Sequence, residues 1–273
     1  STMVYKEREY LPDIPDDKFN VKEVIVLWSG GCDSTILLYY VAKRMQEMGI
    51  DTKDHLFTIS YDFDYVSKVK QKYEKKAREE LTKVFKERFN IEFENIEMKI
   101  TSNLENINTF FSKCGGIHNK PSFTLQLLNT TYILALAHPK ATIFDGFLQS
   151  DGFIYGKMFS SDFKKLLDAW NNISGKDLEF IQPLISFKKS DIIKELMDLD
   201  LYKYIWFCES SNENIIKPCY KCASCKSHIN GLVELVISDN NKTAKQILED
   251  ECGIIIERKE IDVYLYKEEE KEK

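Results

Sequence analysis

Short apolar runs alternate along the chain with segments of helical length. The first run, residues 24–27, is aliphatic throughout, and after a glycine-containing turn a second apolar segment extends to about Met48, where Gly49 follows. A short continuous apolar run is typical of a strand buried on both faces of a parallel sheet. Further strands are predicted at residues 56–61, 96–100 and 141–147.

The segments between these runs predict helices. Residues 66–89 are highly charged but carry apolar side chains at steps of three and four, which predicts one core-facing stripe and a solvated opposite face. Residues 122–137 are apolar on nearly every side and predict a buried helix. Further helices are predicted at 160–172 and from Asp191, with Ser190 as N-cap. This alternation predicts an α/β fold with a doubly wound, mostly parallel sheet.

Composition narrows the class of protein. The chain has 273 residues, 30% charged and 43% hydrophobic, which is an ordinary globular balance with room for one large or two small domains. The net charge of −6 disfavours a dedicated electrostatic nucleic-acid binder. No run approaches the ~20 apolar residues of a membrane span, and no signal-peptide pattern opens the sequence, so a cytoplasmic protein without a membrane partner is predicted.

The turn after the first strand joins that strand to the start of a helix. It reads Ser29, Gly30, Gly31, Cys32, Asp33, Ser34 and Thr35. Free backbone N–H groups and the positive end of the helix dipole meet at such a junction, which favours anion binding. Glycines let the backbone approach a phosphate closely, and the three hydroxyl side chains can add donors. The carboxylate of Asp33 beside a polyanion can hold a magnesium ion.

The spacing of this loop identifies its type. It is S-G-G-x-D-S, which is neither G-x-x-x-x-G-K-[ST] nor G-x-G-x-x-G, so the Walker and dinucleotide signatures are absent. It resembles instead the pyrophosphate loop of the ATP pyrophosphatases. That resemblance implies that the loop holds the β- and γ-phosphates of ATP while the α-phosphate is attacked, giving an adenylated substrate and pyrophosphate.

Four of the seven cysteines cluster in the sequence: Cys208, Cys219, Cys222 and Cys225. An odd total in a reducing compartment disfavours a disulfide framework, and this clustering points to metal. Two successive C-x-x-C steps put three thiolates on one knuckle, which the fourth can reach from the preceding loop. Four soft ligands with no open position suit a tetrahedral structural zinc, although the ligands alone also allow an iron–sulfur cluster. His228 is an alternative ligand that four cysteines make unnecessary.

The loop and the cysteine knuckle together resemble the 7-cyano-7-deazaguanine synthases over about residues 22–233. Between these two motifs the matches, in chain order, continue through Gly146, Asp151, Pro183, Leu184, Lys189 and Asp191, and Gly231 follows the knuckle. The resemblance implies a doubly wound adenine-nucleotide fold, a homodimer, ATP with Mg²⁺, and one structural Zn²⁺ per chain.

The resemblance also implies an activity and its residues. The family activates the carboxylate of 7-carboxy-7-deazaguanine with ATP, lets ammonia displace AMP to give an amide, and dehydrates the amide to a nitrile with a second ATP. Catalytic roles fall to Asp33, with its metal, and to Lys189, which offsets triphosphate charge. The loop residues 29–35 bind the cofactor, and Asp151 and Asn129 are the candidate substrate-binding residues, with Asp151 on the guanine-like edge.

The departures from the family pattern lie mostly in the substrate half. Leu128-Asn129 stands where the family shows an Arg-Asn pair, residues 155–159 replace a Tyr-Pro-Asp-Cys-Arg stretch, and Tyr220 replaces a glycine. Three functions are therefore considered. The first is the synthase. The second is a divergent relative that transfers the activated acyl group to an amine of a partner protein, as in anti-phage defence. The third is a zinc-stabilised nucleotide-binding module without turnover. A tRNA sulfurtransferase is a further possibility, but the net charge disagrees with it.

The predicted domain organisation has four parts. Residues 1–20 are a tag remnant and a lead-in, 21–205 the ATP pyrophosphatase domain, 206–236 a zinc-binding knuckle packed on it, and 237–273 a C-terminal extension. Within the extension, residues 253–257 and 262–266 predict two short strands, and the charged tail is expected to be disordered.

Overall fold

The structure is a computed structural model. It describes residues 14–20, 23–63, 67–100, 120–137, 140–148, 162–211, 213–214 and 216–257, without the side chains of residues 120–125. The candidate substrate residue Asp151, the departing stretch 155–159 and the predicted strand at 262–266 lie outside these residues.

The described strands form one five-stranded parallel sheet. The strands are β1 (Glu23–Leu27), β2 (Leu56–Phe63), β3 (Glu94–Ile100), β4 (Ala141–Phe144) and β5 (Glu179–Ile181). Their order in the sheet is β3-β2-β1-β4-β5, and all five residues of the central strand β1 are buried. Helices cover both sides of the sheet, so the predicted doubly wound α/β fold is confirmed.

The α-helices follow the periodicity of the sequence. They are α1 (Cys32–Glu47), α2 (Thr52–His55), α3 (Lys68–Phe89), α4 (Lys120–Ala135), α5 (Phe163–Ser174), α6 (Lys189–Asp198), α7 (Ala223–Asp239) and α8 (Lys242–Asp250). Short 3₁₀ turns occur at Asp16–Phe19 and Tyr202–Tyr204. No helix among the described residues is long and apolar enough to cross a membrane.

Among the predicted boundaries that differ from the structure, two concern residues of the candidate site. Strand β4 ends at Phe144 rather than at residue 147, because Gly146 turns against the backbone of Asp33 and Ser34. Helix α6 begins at Lys189 rather than at Asp191, and Ser190 is therefore inside the helix and not its N-cap. The carboxylate of Asp191 instead accepts a hydrogen bond from the backbone N–H of Lys188, at 2.9 Å.

Two strand predictions also need correction. Strand β5 was not predicted, because three residues carry too little periodicity to indicate a strand. Residues 253–257 were predicted as a strand but form none. The N–H of Ile254 donates to the carbonyl of Leu248 at 2.8 Å, so this segment closes onto the end of α8 instead of pairing with a strand, and Ile256 packs into the adjacent apolar cluster.

The chain folds into two compact units. The first contains the described residues of Ser1–Ser29, Asp33–Val66 and Thr82–Ser186. It holds the whole sheet, and one of its apolar clusters joins residues of the strands to α4 and α5. The helices contribute buried residues to this cluster, among them Leu128, Tyr132, Phe163 and Leu167.

The second unit contains the described residues of Gly30–Cys32, Ser67–Leu81 and Phe187–Lys273. One apolar cluster joins α6, α7 and α8 through Ile193, Leu232, Val236 and Leu248. A smaller cluster surrounds the cysteines. The predicted limits at 20, 205 and 236 remain a prediction.

Candidate nucleotide loop and metal centre

The order of the strands places two turns at the same edge of the first unit. The chain passes from β1 outward to β2 and β3, then returns to pair β4 with the other side of β1. The strand order therefore reverses between β1 and β4. Ligands of open α/β sheets bind beyond the carboxyl ends of the strands at such a point. The S-G-G-x-D-S loop follows β1 there, and Asp145-Gly146 follows β4.

Within the first unit, serine hydroxyls close the loop on itself. The backbone N–H of Ser29 donates to Ser34 Oγ at 3.1 Å, and the two hydroxyl oxygens are also 3.1 Å apart. Thr35 lies deeper and is fully buried, and its Oγ1 accepts a hydrogen bond from Trp28 Nε1 at 3.1 Å. Ser29 is exposed, whereas Asp33 and Ser34 are half-buried. The loop thus presents serine and aspartate outward while Thr35 anchors its base.

The turn after β4 packs directly on the start of α1. A Cβ added at Gly146 would lie 3.3 Å from the carbonyl carbon of Asp33 and from the N of Ser34. The preceding Asp145 is 2% exposed, and its Oδ2 accepts a hydrogen bond from Gln182 Nε2 at 2.8 Å. Sequence reasoning missed Asp145 and Gln182, although a carboxylate directly after a buried strand is the signal that identifies such a position.

The glycine turn of the loop belongs to the second unit. Gly30 has a φ of +93°, and its carbonyl accepts a hydrogen bond from the N–H of Trp206 at 3.1 Å. A Cβ at this position would lie 2.9 Å from the carbonyl oxygen of Glu74 and 3.1 Å from Arg78 Cγ. Burial raises the pKa of the Glu74 carboxyl, and the nearby charges of Lys70 and Arg78 lower it in part. The loop backbone is therefore pressed against α3, where only a glycine fits.

The thiol of Cys32 is directed into the second unit. Its Sγ lies 3.7 Å from Nδ1 of His228, whose Nε2 is 2.6 Å from the hydroxyl of Tyr202. Burial, with a smaller effect from the charge of Lys189, lowers the pKa of His228 to about 3, so this imidazole is neutral at physiological pH. His228 is thus not a ligand of the cysteine cluster, which the sequence had left open.

Lys189 also lies in the second unit. A Cβ on Gly231 would be 3.0 Å from Lys189 Cγ and 2.8 Å from Ile193 Cδ1, so α6 and α7 are in close contact at this glycine. Lys189 is half-buried, and its charge influences the ionisation of His228. The lysine therefore neighbours the histidine that contacts Cys32.

The four predicted cysteines come together in a cluster that could hold a metal ion. The sulfur atoms of Cys208, Cys219, Cys222 and Cys225 all lie within 4.8 Å of one another, and two of them, those of Cys219 and Cys225, are 3.9 Å apart. Thiolates at ~2.3 Å from a tetrahedral zinc have sulfur–sulfur distances of about 3.8 Å. The donor set therefore fits such an ion, and the coarse prediction of metal binding is supported.

Backbone N–H groups point at these sulfur atoms. Cys219 N–H donates to Cys208 Sγ at 3.2 Å, and Cys222 N–H donates to Cys219 Sγ at 3.3 Å. Burial raises the pKa of Cys219, but hydrogen bonds from the N–H groups of Lys221 and Cys222 outweigh it and lower the pKa to about 7. Burial raises the pKa of Cys208 and Cys225. The knuckle thus holds its sulfurs in ligating geometry with N–H donors directed at them.

Asn129 lies on α4 with an exposed side chain, and Asp151 is outside the described residues. Their predicted roles in substrate binding remain predictions. Trp206, which anchors Gly30, was also missed by sequence reasoning, because a backbone donor in an irregular segment carries no signature in the sequence.

Fold and site define the class of protein: an α/β chain with a glycine loop at the reversal of its strand order and four cysteines that could hold a metal ion. Comparison with known families then identifies the family. The family model described as queuosine biosynthesis protein QueC matches residues 23–236, and the chain belongs to this family.

Curated relatives agree with this family. The chain is 25% identical over 226 residues to the 7-cyano-7-deazaguanine synthase of Aliarcobacter butzleri (strain RM4018), covering 79% of this chain and 92% of the relative. It is 26% identical over 227 residues to the 7-cyano-7-deazaguanine synthase of Clostridium botulinum (strain Langeland / NCTC 10281 / Type F), covering 79% and 96%.

Two solved structures are similar at lower identity. The U34-tRNA thiolase NcsA from Methanococcus maripaludis, solved with its [4Fe-4S] cluster, matches with a TM-score of 0.44 and 19% identity, covering 90% of this chain and 75% of its own. The glutamine-dependent NAD⁺ synthetase of Acinetobacter baumannii, in complex with ADP, has a TM-score of 0.37 and 12% identity, covering 92% and 40%.

Proposed function

We propose that the chain is an ATP-dependent ligase that adenylates the carboxylate of 7-carboxy-7-deazaguanine and converts it with ammonia to the amide and then the nitrile. The observation that carries the proposal is the S-G-G-x-D-S loop at the reversal of strand order, seated by Gly146 in a chain of the QueC family. The matched relatives are named as 7-cyano-7-deazaguanine synthases, which supports the choice of a deazaguanine substrate.

In the proposed first step, a carboxylate oxygen of the substrate attacks the α-phosphorus of ATP. The bond between the α-phosphorus and its bridging oxygen breaks, and pyrophosphate leaves. Ammonia then adds to the acyl carbon, AMP leaves, and a proton is lost to give the amide. The amide oxygen then attacks the α-phosphorus of a second ATP and pyrophosphate leaves. Loss of AMP and of two protons in total gives the nitrile. No protein nucleophile is needed, so catalysis depends on positioning and charge.

The loop residues have separate roles in this proposal. Backbone N–H groups of Gly30, Gly31 and Cys32, with the hydroxyls of Ser29 and Ser34, hold the pyrophosphate part of ATP. Thr35, which accepts from Trp28 Nε1, supports the loop from beneath. Asp33, half-buried in the first turn of α1, holds Mg²⁺ beside the phosphates.

Two further groups complete the assignment. Lys189 offsets triphosphate charge from the start of α6. The four cysteines hold one Zn²⁺, which supplies folding stability and no open coordination position for chemistry. Asp151 and Asn129 remain the candidates for the deazaguanine, and the homodimer, cytoplasmic location and absence of nucleic-acid binding also stay predictions.

The test is mass spectrometry of the products after incubation of the purified chain with ATP, Mg²⁺, ammonium and 7-carboxy-7-deazaguanine. Amide or nitrile with stoichiometric AMP and pyrophosphate is the expected result. Asp33→Asn should lower pyrophosphate release at least about 100-fold, the order of loss seen when a transition-state charge partner is removed. Asp54→Asn, on an exposed carboxylate of α2, is the matched control and should retain wild-type turnover.

Other outcomes would favour the alternatives. AMP release only with a partner protein, together with a mass increase on that protein, would establish the conjugating relative. The relatives compared are named as synthases, so a role in anti-phage defence remains a prediction. Binding of ATP without AMP release under any condition would establish the nucleotide-binding module and overturn the ligase.

A further inference from the structure

His228 is held on three sides within the second unit. It is 1% exposed, and its ring stacks on Phe207 with centroids 3.7 Å apart and planes inclined by 6°. Its Nε2 is 2.6 Å from the hydroxyl of Tyr202, and its Nδ1 is 3.7 Å from Cys32 Sγ. A buried imidazole with both nitrogens engaged has a fixed position and orientation.

The contacts of Tyr202 and Cys32 with His228 form one hydrogen-bonded series through the imidazole ring. The imidazole is neutral, so one nitrogen carries a hydrogen and the other accepts. If Tyr202 donates to Nε2, then Nδ1–H donates to the sulfur of Cys32. If Nε2–H donates to Tyr202, the thiol of Cys32 donates to Nδ1. Both tautomers therefore join Tyr202, His228 and Cys32 in an unbroken series.

The last member of this series lies in the loop itself. Cys32 is the first residue of α1 and is 4% exposed. Its backbone N–H lies at the start of that helix, the end at which backbone N–H groups and the helix dipole favour an anion. A side chain fixed at this residue therefore fixes the direction of the donors beside it.

We propose that His228 is a positioning residue of the pyrophosphate loop, acting through Cys32 to hold the loop in its anion-binding conformation. The proposal rests on the proposed function in one respect only, namely that the loop binds ATP. Nothing in it requires His228 to touch ATP or to transfer a proton.

The proposal predicts which kinetic parameter changes. A loosened loop is competent to bind for only a fraction of the time, so the apparent affinity falls by that fraction. Once ATP is bound the loop is closed, and kcat changes little. Loss of the contact to Cys32 should therefore raise KM for ATP by about five- to tenfold, with kcat within about twofold of wild type.

Two substitutions at His228 distinguish the contact made by Nδ1 from the contact made by Nε2. An asparagine amide lies the same number of bonds from the backbone as Nδ1, and a glutamine amide the same number as Nε2. His228→Asn keeps a partner for Cys32, whereas His228→Gln keeps a partner for Tyr202 and loses Cys32. Both remove the ring stacked on Phe207, so both should lower Tm by similar amounts.

The measurements are metal content, Tm, KM and kcat for ATP, and the Kd of α,β-methylene-ATP with Mg²⁺. We expect full metal content in both variants, a raised KM and Kd in His228→Gln, and near-wild-type values in His228→Asn. Tyr202→Phe should raise KM by about twofold, because it frees only the far nitrogen. Tyr204→Phe makes the same chemical change in the same turn, at a ring near Lys203 Nζ, and should change nothing.

A double-mutant cycle tests whether His228 acts through Cys32. In a Cys32→Ala background, His228→Gln should no longer raise the Kd of α,β-methylene-ATP, because the residue through which it acts is absent. Equal Kd values for His228→Asn and His228→Gln, an additive cycle, or a fall in kcat at unchanged KM would each overturn the proposal. Because α,β-methylene-ATP cannot release pyrophosphate, these Kd values stand even if wild type proves to form no AMP, which would defeat the proposed function alone.

Discussion

At the scale of single residues, Gly30 combines a φ of +93° with a neighbouring carbonyl oxygen 2.9 Å from where a Cβ would lie. We expect Gly30→Ala to cost more than the ~1–2 kcal/mol of the left-handed conformation alone, because Glu74 of α3 must also move. Pyrophosphate release should fall by at least about 100-fold, since the donors of the loop are displaced. Release assays and thermal unfolding measure the two effects.

Gly49 offers the matched control. Its φ is +73°, and a Cβ there would meet nothing within 4 Å. Gly49→Ala should therefore lower Tm through conformational strain alone and leave pyrophosphate release at the wild-type rate. Equal release by Gly30→Ala and Gly49→Ala would contradict the close approach of the loop to α3.

Tyr220 explains one departure from the family pattern. It stands where the resemblance drawn from the sequence implies a glycine, and its φ is +54°, in the left-handed region that favours glycine. Its hydroxyl donates a hydrogen bond to the carboxylate of Glu251, and its ring lies near Phe207. These contacts offset the strain of the backbone in the knuckle.

This balance predicts how two substitutions at Tyr220 differ in stability. Tyr220→Phe keeps the strain and loses the bond to Glu251, so Tm should fall by a few degrees, as expected for about 1 kcal/mol. Tyr220→Gly loses the same bond but removes a strain of ~1–2 kcal/mol, so it should be at least as stable as Tyr220→Phe. Thermal unfolding of both metal-loaded variants tests this, and a Tyr220→Gly variant much less stable than Tyr220→Phe would show that the ring contacts dominate.

At the scale of elements, α6 and α7 meet at Gly231. Gly231→Ala would place a Cβ 2.8 Å from Ile193 Cδ1 and 3.0 Å from Lys189 Cγ. We expect a loss of about 1–3 kcal/mol from overpacking and a raised KM for ATP, because Lys189 is displaced with the start of α6. Asn230→Ala, at the exposed neighbouring position of α7, is the control for helix propensity. A variant Gly231→Ala with wild-type Tm and KM would refute this close contact.

The elements show what the sequence could predict. Strands β1 and β4 and the long helices were predictable, because a buried parallel strand is apolar and α3 carries a single apolar stripe. The start of α6 could not be predicted. The backbone N–H of Lys188 donates to the carboxylate of Asp191 there, and this pair lies inside a run of similar polar residues. Strand β5 is three residues long and exists through its pairing with β4. Tertiary pairing of this kind leaves no local pattern.

At the scale of the molecule, motifs with local spacing were predictable and contacts between distant segments were not. The four cysteines come together as predicted, because three of them share one tight knuckle. The partners of the loop, Trp206 and His228, are about 175 or more residues away in sequence, a separation over which no local pattern acts. His228 was considered as a metal ligand, and only the fold shows that it faces Cys32 instead.

The burial of neutral His228 also predicts a dependence of stability on pH. Its pKa is about 3 in the folded chain and about 6.5 when unfolded, so the unfolded chain binds the extra proton first as pH falls. The contribution to stability is fully present above about pH 6.5 and decreases between about pH 6.5 and about pH 3, by up to ~1.4 kcal/mol per pH unit. Lys189, Cys32 and Tyr202 are the ionisable groups that face the ring.

We therefore expect the Tm of wild type to fall more between about pH 7.5 and about pH 5.5 than the Tm of His228→Asn, which has no group to protonate there. Metal content is measured at both pH values, so that loss of the ion is not mistaken for protonation of the histidine. Parallel pH profiles for the two proteins would show that His228 is protonated in the folded chain.

Metal removal should affect the nucleotide loop as well as the knuckle. Trp206 packs in the same cluster as Cys208 and Cys225, its Nε1 donates to the carbonyl of Cys208 at 2.9 Å, and its backbone N–H donates to Gly30. Loss of the ion leaves this cluster without its central ligand bonds, and metal binding and folding are linked. The position of Gly30 then loses a support, and we expect the proposed binding of ATP at the loop to weaken.

The variant Cys222→Ser tests this coupling, and Cys252→Ser, at a cysteine outside the cluster, is its control. We expect one zinc per chain in wild type and Cys252→Ser, and none in Cys222→Ser, whose Tm should fall by more than about 10 °C because several kcal/mol of binding energy are lost. The Kd of α,β-methylene-ATP with Mg²⁺ should rise in Cys222→Ser at a temperature where that variant is still folded. An unchanged Kd at that temperature would mean that Trp206 holds Gly30 without help from the metal. Iron in place of zinc would change the identity of the ion, and the effect of the metal on the Kd would be measured in the same way.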